Sequence, residues 1–394
     1  MTINELKQGF IKIYGGVEND LRVFHSPGRV NLIGEHTDYN GGFVFPAFLS
    51  MGTTIVLRKT NADIIRMKAT DLPDMVELNL RNLNDYRSLW WENYQAGVCV
   101  ELKNKGYDII GCDMLYHDTL PHGGGLSSSA AIEVATALSL AILSNEEKGV
   151  TEPVDMIEMA FIGQAAEHNY CGVNCGIMDQ FASAMGKKDH AIFLDCKNMN
   201  FELIPLVLEG CKLVITNTNK KHSLASSKYN ERRSECEQGL EILKTVLPEK
   251  TCLGEISREE FEANKHLIEN ETVRRRVEHV ICEDDRVLRS IDALKGGDIR
   301  LFGKLMNESH DSLRDLYEVT GIELDTLVEE ARKVGGVLGT RMTGAGFGGS
   351  TVSIVRDNAI DEFKELVGKN YTEKIGYAPS FYVDDIGNGG CELK

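Results

Sequence analysis

The segment Pro121-His122-Gly123-Gly124-Gly125-Leu126-Ser127-Ser128-Ser129-Ala130 stands at the entry to an alanine-rich apolar run. Its glycines let the backbone turn tightly and approach a ligand, a helix starting here offers free N–H groups to an anion, and the serines add hydroxyls. That is the chemistry of a phosphate cradle. No Gly-Lys-Ser/Thr closes it, here or elsewhere in the chain, so it is not a Walker loop. A serine-hydrolase elbow needs a second glycine that Gly125-Leu126-Ser127-Ser128-Ser129 lacks. The bland alternative is a loop ending in an ordinary serine N-cap.

A second segment, Gly28-Arg29-Val30-Asn31-Leu32-Ile33-Gly34-Glu35-His36-Thr37-Asp38-Tyr39-Asn40-Gly41-Gly42, crowds Glu35, His36, Asp38 and Tyr39 into one turn. A sugar presents a fixed array of hydroxyls and needs several acceptors at close quarters, which this turn provides. A solvated polar turn has the same composition. A third segment, Gly339-Thr340-Arg341-Met342-Thr343-Gly344-Ala345-Gly346-Phe347-Gly348-Gly349, contains Gly-x-Gly-x-x-Gly at 344, 346 and 349. A dinucleotide fingerprint follows a strand and opens a helix, whereas here a helical pattern precedes and a β-branched run follows. The segment reads as a glycine loop lying close to a ligand or to another loop. Asp179, among apolar neighbours just after Gly176, is by itself either a helix cap or a catalytic acid. His168, Cys171 and Cys175 lack both the spacing and a fourth ligand for structural zinc.

Positioning these segments requires regular elements around them. The pattern predicts a helix over residues 91–104, a strand over 113–116, a loop over 120–126 and a helix over 129–143. A helix over 153–169 and strands over 191–195 and 212–216 follow. Amphipathic helices are predicted over 230–247, 271–294 and 323–334, the last stopped by Gly335-Gly336. Strands are predicted over 351–355 and 381–385, the last with no evident home. Interleaved strands and helices make the class α+β or α/β. The domain boundary is expected near residue 205, giving 1–205 with the first two motifs and Asp179, and 206–394 with the third.

Composition excludes several functions. The 394 residues carry 43 Lys+Arg against 60 Asp+Glu, a net charge of −17, so binding to nucleic acid or an anionic membrane is disfavoured. Any phosphorylated ligand must be held by local N–H groups or a metal ion. The apolar run 130–143 is too short to span a bilayer and contains Glu133. Residues 1–7 lack the layout of a secretion signal, which predicts a cytoplasmic protein. The 10 cysteines form no Cys-x-x-Cys pair and are expected to be reduced.

Together and in this order, the motifs resemble the signatures of the GHMP small-molecule kinases, and within them those of the galactokinase family. Residues 28–39 resemble the galactokinase signature, 123–130 the ATP loop and 343–349 the third glycine motif. Gly176-Ile177-Met178-Asp179-Gln180 and His222-Ser223-Leu224-Ala225-Ser226-Ser227-Lys228-Tyr229 match further segments of that family. The resemblance implies an α+β chain with an N-terminal α/β domain, a C-terminal ferredoxin-like domain and the active site between them. It implies ATP-dependent phosphorylation of the anomeric hydroxyl of D-galactose to galactose 1-phosphate, the entry step of galactose catabolism by the Leloir pathway.

By the same resemblance Asp179 is the catalytic carboxylate, poised at the sugar O1, and Arg29 its cationic partner. Glu35, His36 and Asp38 match the sugar-hydroxyl ligands, Tyr229 and the backbone of Gly176 complete the pocket, and Gly346 lies near the substrates. Gly123, Gly124, Gly125, Leu126, Ser127, Ser128 and Ser129 match the triphosphate loop. Ser129 and Glu167 match the Mg²⁺ ligands, a suitable pair for a hard cation that keeps most of its waters. His122 departs from the family pattern. The partners implied are galactose and ATP, with a monomer or weak oligomer expected. One rival is an N-acetylgalactosamine kinase, which needs room for an acetamido group at C2; Thr37 and Cys175-Gly176-Ile177 look more like the galactose enzymes. The other is a non-catalytic galactose/ATP sensor, against which the intact Ser127-Ser128-Ser129-Ala130 run with Arg29 and Asp179 argues.

Overall fold

The computed structural model describes residues 1–121, 123–220 and 225–393. His122, and His222, Ser223 and Leu224 of the motif ending at Tyr229, lie outside the described residues, as do the side chains of Ser226 and Ser227. The strands are β1 (Arg22–Asn31), β2 (Phe43–Val44), β3 (Pro46–Lys59), β4 (Ile64–Ala69), β5 (Met75–Asn79), β6 (Cys112–Asp118), β7 (His190–Asp195), β8 (Phe201–Pro205), β9 (Cys211–Asn217), β10 (Val337–Thr343), β11 (Ser350–Arg356), β12 (Ser380–Asp384) and β13 (Cys391–Leu393). The helices are α1 (Ile3–Tyr14), α2 (Glu92–Asn104), α3 (Ser128–Lys148), α4 (Met156–Ala165), α5 (Met178–Met185), α6 (Ala225–Leu243), α7 (Arg258–Asn264), α8 (Glu271–Lys295), α9 (Ile299–Ser312), α10 (Ile322–Ala331) and α11 (Ile360–Ile375).

The larger sheet runs β13-β1-β3-β6-β4-β5, with β7 joining β2, β3 and β8 beside it. Its pairs are antiparallel except β4 with β6. Helices α2, α3 and α4 cover one face through a core that includes Ile55, Leu57, Met114, Leu138 and Met159. α3 is the one helix among the described residues long and apolar enough to cross a membrane, and 72% of its apolar window is buried. It ends at Gly149 in the left-handed conformation, a typical helix stop.

The smaller sheet is antiparallel in the order β10-β11-β9-β12. Numbered by its own strands from β9, that is 2-3-1-4, and with helices between β9 and β10 and between β11 and β12 it is the ferredoxin-like arrangement. Helices α10 and α11 pack on it through Leu327, Ala331, Phe363, Val367 and Tyr371. Its other face shares one core with the larger sheet, in which Val30, Phe45 and Phe181 join Leu213, Phe302 and Ile354. That continuous core fixes the two sheets relative to each other, which matters because the candidate site lies where they meet.

Three placements differ from the sequence expectations. Val337–Thr343 is a strand, so the third glycine segment is the turn of a β10–β11 hairpin and not a loop after a helix. It shows no apolar alternation because its polar residues are themselves buried, Thr340 and Arg341 completely. The helix expected to reach residue 169 stops at Ala165 and widens into a π-helical turn, Ala166–Cys171. The strand without a home, β12, pairs with β9 at the edge of the smaller sheet, and the chain then returns to the larger one, where β13 pairs with β1.

Candidate active site

The phosphate-loop segment turns into α3 at Ser127, whose backbone is left-handed at φ 61° and ψ 50°. A non-glycine residue held there costs energy, and such strain persists where surrounding contacts over-determine it. Ser127 does not cap the helix with its side chain. Its hydroxyl donates instead to Asp179 Oδ2 at 2.5 Å. The first helical turn therefore keeps free N–H groups toward the loop.

Asp179 sits in the first turn of α5 and meets Arg29 from β1. Arg29 donates from Nε at 2.9 Å and approaches the same Oδ1 with a terminal nitrogen at 2.7 Å. Its other terminal nitrogen donates to the carbonyl of Gly125 at 2.8 Å. One guanidinium thus ties the acid to the phosphate loop. The Arg29 side chain is 5% exposed and that of Asp179 is 32% exposed, so the arginine is scaffold and the carboxylate faces open space. A charge-assisted, forked pair of this kind fixes orientation as well as charge.

The sugar-type turn follows β1 directly. Glu35 is buried; its Oε1 accepts from the Gly344 N–H at 2.6 Å and its Oε2 from the Asn31 amide. Burial raises its carboxyl above the usual range, opposed by Arg341 and then Arg29. His36 is held by burial at about 3 and is therefore neutral; its Nδ1 lies 2.8 Å from the Tyr39 hydroxyl, which meets the Tyr317 hydroxyl at 2.8 Å. Tyr229 of α6 stacks at 5.6 Å from the His36 ring. Burial and the neighbouring charge of Asp179 push Asp38 up to about 7. Asp38 also explains Gly176: a Cβ there would lie 1.6 Å from Asp38 Oδ2.

Behind the phosphate loop, Glu167 on the π-helical turn stands beside Ser129, Cys175 and Glu133. Glu133 is fully buried on α3 and accepts from Gln180 at 3.0 Å. Burial and the adjacent Glu167 push its carboxyl well up. A hydroxyl and a carboxylate at a helix N-terminus are hard oxygen donors that fit a partly hydrated Mg²⁺. Among the described residues no group of three or more His, Cys, Asp or Glu could hold a metal, so a full protein cage is not what this corner provides.

Two cavities meet here. One, of about 300 Å³, is lined by Arg29, Glu35, His36, Asp38, Gly176, Asp179 and Tyr229, with Cys175, Asn230 and Ala345. The other, of about 260 Å³, is lined by Gly123, Gly124, Gly125, Leu126, Ser127, Ser128 and Ser129. Arg29, Asp179 and Ala345 line both. The fold thus gathers the sugar-type residues on one side of a single ion pair and the glycine-serine loop on the other. Gly346 lines neither cavity: its φ is +80°, and a Cβ would lie 2.3 Å from the Val319 carbonyl, so it docks the hairpin turn while Gly344 and Ala345 face the site. Sequence patterns missed Glu133, Asn31 and Arg341. Glu133 had a signal, as the one charge in an apolar helical run; buried charges are rare unless paired.

The chain is similar to known proteins along its whole length. Residues 8–59 match the galactokinase galactose-binding signature, 93–187 the GHMP kinases N terminal domain and 290–373 the GHMP kinases C terminal domain. The chain is 47% identical to the galactokinase of Clostridium tetani, over 100% of this chain and 98% of that protein. It is 46% identical to the galactokinase of Bacillus subtilis, over 99% of each. The crystal structure of Lactococcus lactis galactokinase complexed with galactose covers 100% of both chains at 41% identity with a TM-score of 0.94. A mevalonate kinase structure, at 20% identity, covers 93% of this chain and 99% of its own with a TM-score of 0.66, a likeness of fold alone.

Proposed function

The chain belongs to the galactokinase family, and from that premise we propose that it transfers the γ-phosphoryl group of ATP to the anomeric hydroxyl of D-galactose, yielding galactose 1-phosphate. The observation that carries the placement of the chemistry is the shared wall: the Arg29–Asp179 pair borders both the acid-rich cavity and the glycine-serine cavity. Galactose occupies the first and the ATP triphosphate the second, so sugar O1 and γ-phosphorus meet at Asp179. The division near residue 205 belongs to the same proposal, since β8 ends at Pro205 and β9 starts at Cys211. The net charge of −17 supports a cytoplasmic enzyme, acting as a monomer or weak oligomer.

Asp179 accepts the hydrogen bond of the sugar O1 hydroxyl with a carboxylate already oriented by Arg29 and Ser127. Loose phosphoryl transfer asks for positioning and charge stabilisation more than for a strong base. The pair supplies both: the carboxylate aligns O1 and takes its proton as the new O1–Pγ bond forms and the bond from Pγ to the β–γ bridging oxygen breaks to release ADP, and the guanidinium stabilises charge developing on O1. Asp38 and Glu35 accept from ring hydroxyls, with His36 and Tyr229 closing the pocket. Of the two neighbouring acids, burial and Asp179 shift Asp38 toward neutrality, while Asp179 is tied to the Arg29 guanidinium. On the other side, loop N–H groups and serine hydroxyls cradle the phosphates. Ser129 and Glu167 are the residues that would hold Mg²⁺, which when bound offsets charge on the phosphate oxygens.

ADP release with MgATP and, separately, D-galactose, N-acetylgalactosamine, glucose or no sugar tests the proposal. Turnover mainly with galactose is expected. Turnover with N-acetylgalactosamine alone redraws the pocket at C2, and galactose binding without turnover converts the protein to a sensor.

A further inference from the structure

Arg341, in β10, is one of the two largest fully buried side chains among the described residues, with no exposed surface. A guanidinium is expensive to bury, so its partners say what it is for. One terminal nitrogen donates to the Asn31 carbonyl at 2.9 Å and lies 3.6 Å from Glu35 Oε1. The other lies 3.8 Å from Glu283 Oε1 and, like Nε, has no hydrogen-bond partner. Glu283 does not need this charge. It is already paired with Arg286 at 2.7 Å and accepts from Ser309 and from the Gly34 N–H.

The better use of the cation lies with Glu35. Thr343, two residues along β10, accepts from the Asn31 N–H at 2.9 Å and donates back to the Asn31 carbonyl at 3.1 Å. The Asn31 amide in turn donates to Glu35, and Gly344 donates to it from the hairpin turn. The strand that ends at the third glycine motif therefore grips the sugar loop through one residue, Asn31, and presents a cation to one acid, Glu35. Glu35 lines the larger cavity, whereas Arg341 lines neither. The charged groups facing Glu35 are Arg341, Arg29 and Asp38. His279, whose Nε2 meets the Glu35 carbonyl, is kept neutral by burial.

We infer that Arg341 is a positioning residue for the sugar site: from behind, it orients Glu35 as an acceptor for a galactose hydroxyl and favours its ionised form. The inference rests on the galactose assignment above. It couples the smaller sheet to sugar affinity without touching the sugar.

The test is a double-mutant cycle on the full chain, with equilibrium binding of galactose and of MgATP measured for wild type, Arg341→Met, Glu35→Gln and the double variant. Arg341→Met is expected to weaken galactose binding by about tenfold while MgATP binding stays within about twofold. The double variant is expected to bind galactose no more weakly than Glu35→Gln alone, because the cation acts through that acid. Removing the cation raises the pH at which Glu35 ionises, so the acid-side fall in galactose affinity moves to higher pH in Arg341→Met. The same shift is absent when Glu35 is already Gln. Should Arg341→Met fail to fold, Arg341→Lys keeps a cation and is expected to lose less affinity than Glu35→Gln. Additive effects in the cycle, or equal losses for sugar and nucleotide, overturn the inference. Wild-type protein that does not bind galactose overturns the sugar assignment itself, a distinct result seen before any variant is made.

Discussion

Apart from the shared Arg29–Asp179 pair, the phosphate-loop cavity is walled mainly by backbone and hydroxyls, whereas the sugar cavity is walled by acids and rings. On the loop side the groups that grip an anion are N–H dipoles at the start of α3, which need no titration and bring no charge of their own. On the sugar side three carboxylates, Glu35, Asp38 and Asp179, lie within one pocket, and cations from β1 and β10 keep the arrangement tolerable. On the proposed assignment of sugar and ATP, the difference follows from the ligands. A triphosphate in a chain of net charge −17 must be met by local positive potential, and loop amides supply it in any sequence that can make the turn. A neutral sugar is distinguished by the directions of its hydroxyls, so its site needs fixed acceptors, and fixing buried acceptors takes partners from distant elements.

That contrast can be broken in four ways. The largest effect is expected at the shared wall: Asp179→Ala lowers kcat by about a thousandfold or more while galactose still binds, measured by ADP release and by titration calorimetry. Turnover within about tenfold of wild type takes Asp179 out of the mechanism. Next, Gly176→Ala drives a methyl group into Asp38, 1.6 Å from its carboxylate oxygen in the native arrangement. The galactose KM is expected to rise by about ten- to a hundredfold with the ATP KM little changed. A matching rise in both would erase the division between the cavities.

The third effect is on pH. Burial and Asp179 push Asp38 up to about 7, so as pH falls from 7 to 6 its ionised fraction, and with it galactose affinity, is expected to drop about fivefold. Stability moves the other way. A carboxyl whose folded value lies above its ordinary 3.8 contributes stability at low pH that is lost as pH rises through about 7. Asp38→Asn flattens both trends; an unchanged affinity profile in that variant assigns the titration elsewhere. The smallest effect belongs to Ser127→Gly, which relaxes the left-handed backbone and removes the hydroxyl at Asp179 Oδ2. A loss of about three- to tenfold in kcat with sugar KM unchanged is expected from one hydrogen bond to the carboxylate. Ser127→Ala, which keeps the strain, is expected to be about 1 kcal/mol less stable than the glycine variant by denaturant unfolding.

Much of the fold was readable along the chain. The helix predicted over 129–143 is α3, Ser128–Lys148, and the strand predicted over 212–216 is β9, Cys211–Asn217, because both are apolar runs buried on nearly every side. β10 was not readable, since Thr340, Arg341 and Thr343 are buried polar residues paired across the chain to β11 and Asn31. The candidate site divides in the same manner. Loop residues 123–129 and the turn holding Glu35, His36 and Asp38 are local strings whose chemistry is visible in their order. Glu133 and Arg341 lie against partners 34 and 306 positions away, Glu167 and Glu35 respectively, separations that local sequence patterns do not reveal.

By itself the sequence determined which segments could turn tightly, which could offer N–H groups or oxygen acceptors, and which faces had to be buried. Those are properties of a few consecutive residues, set by backbone sterics and hydrophobic periodicity. Tertiary structure alone decided that Arg29 and Asp179, 150 positions apart, form the wall between two cavities. It decided that Ala345 and not Gly346 faces the site. It decided which acids are pushed toward neutrality, because burial and the cations that oppose it are set by elements remote in the chain.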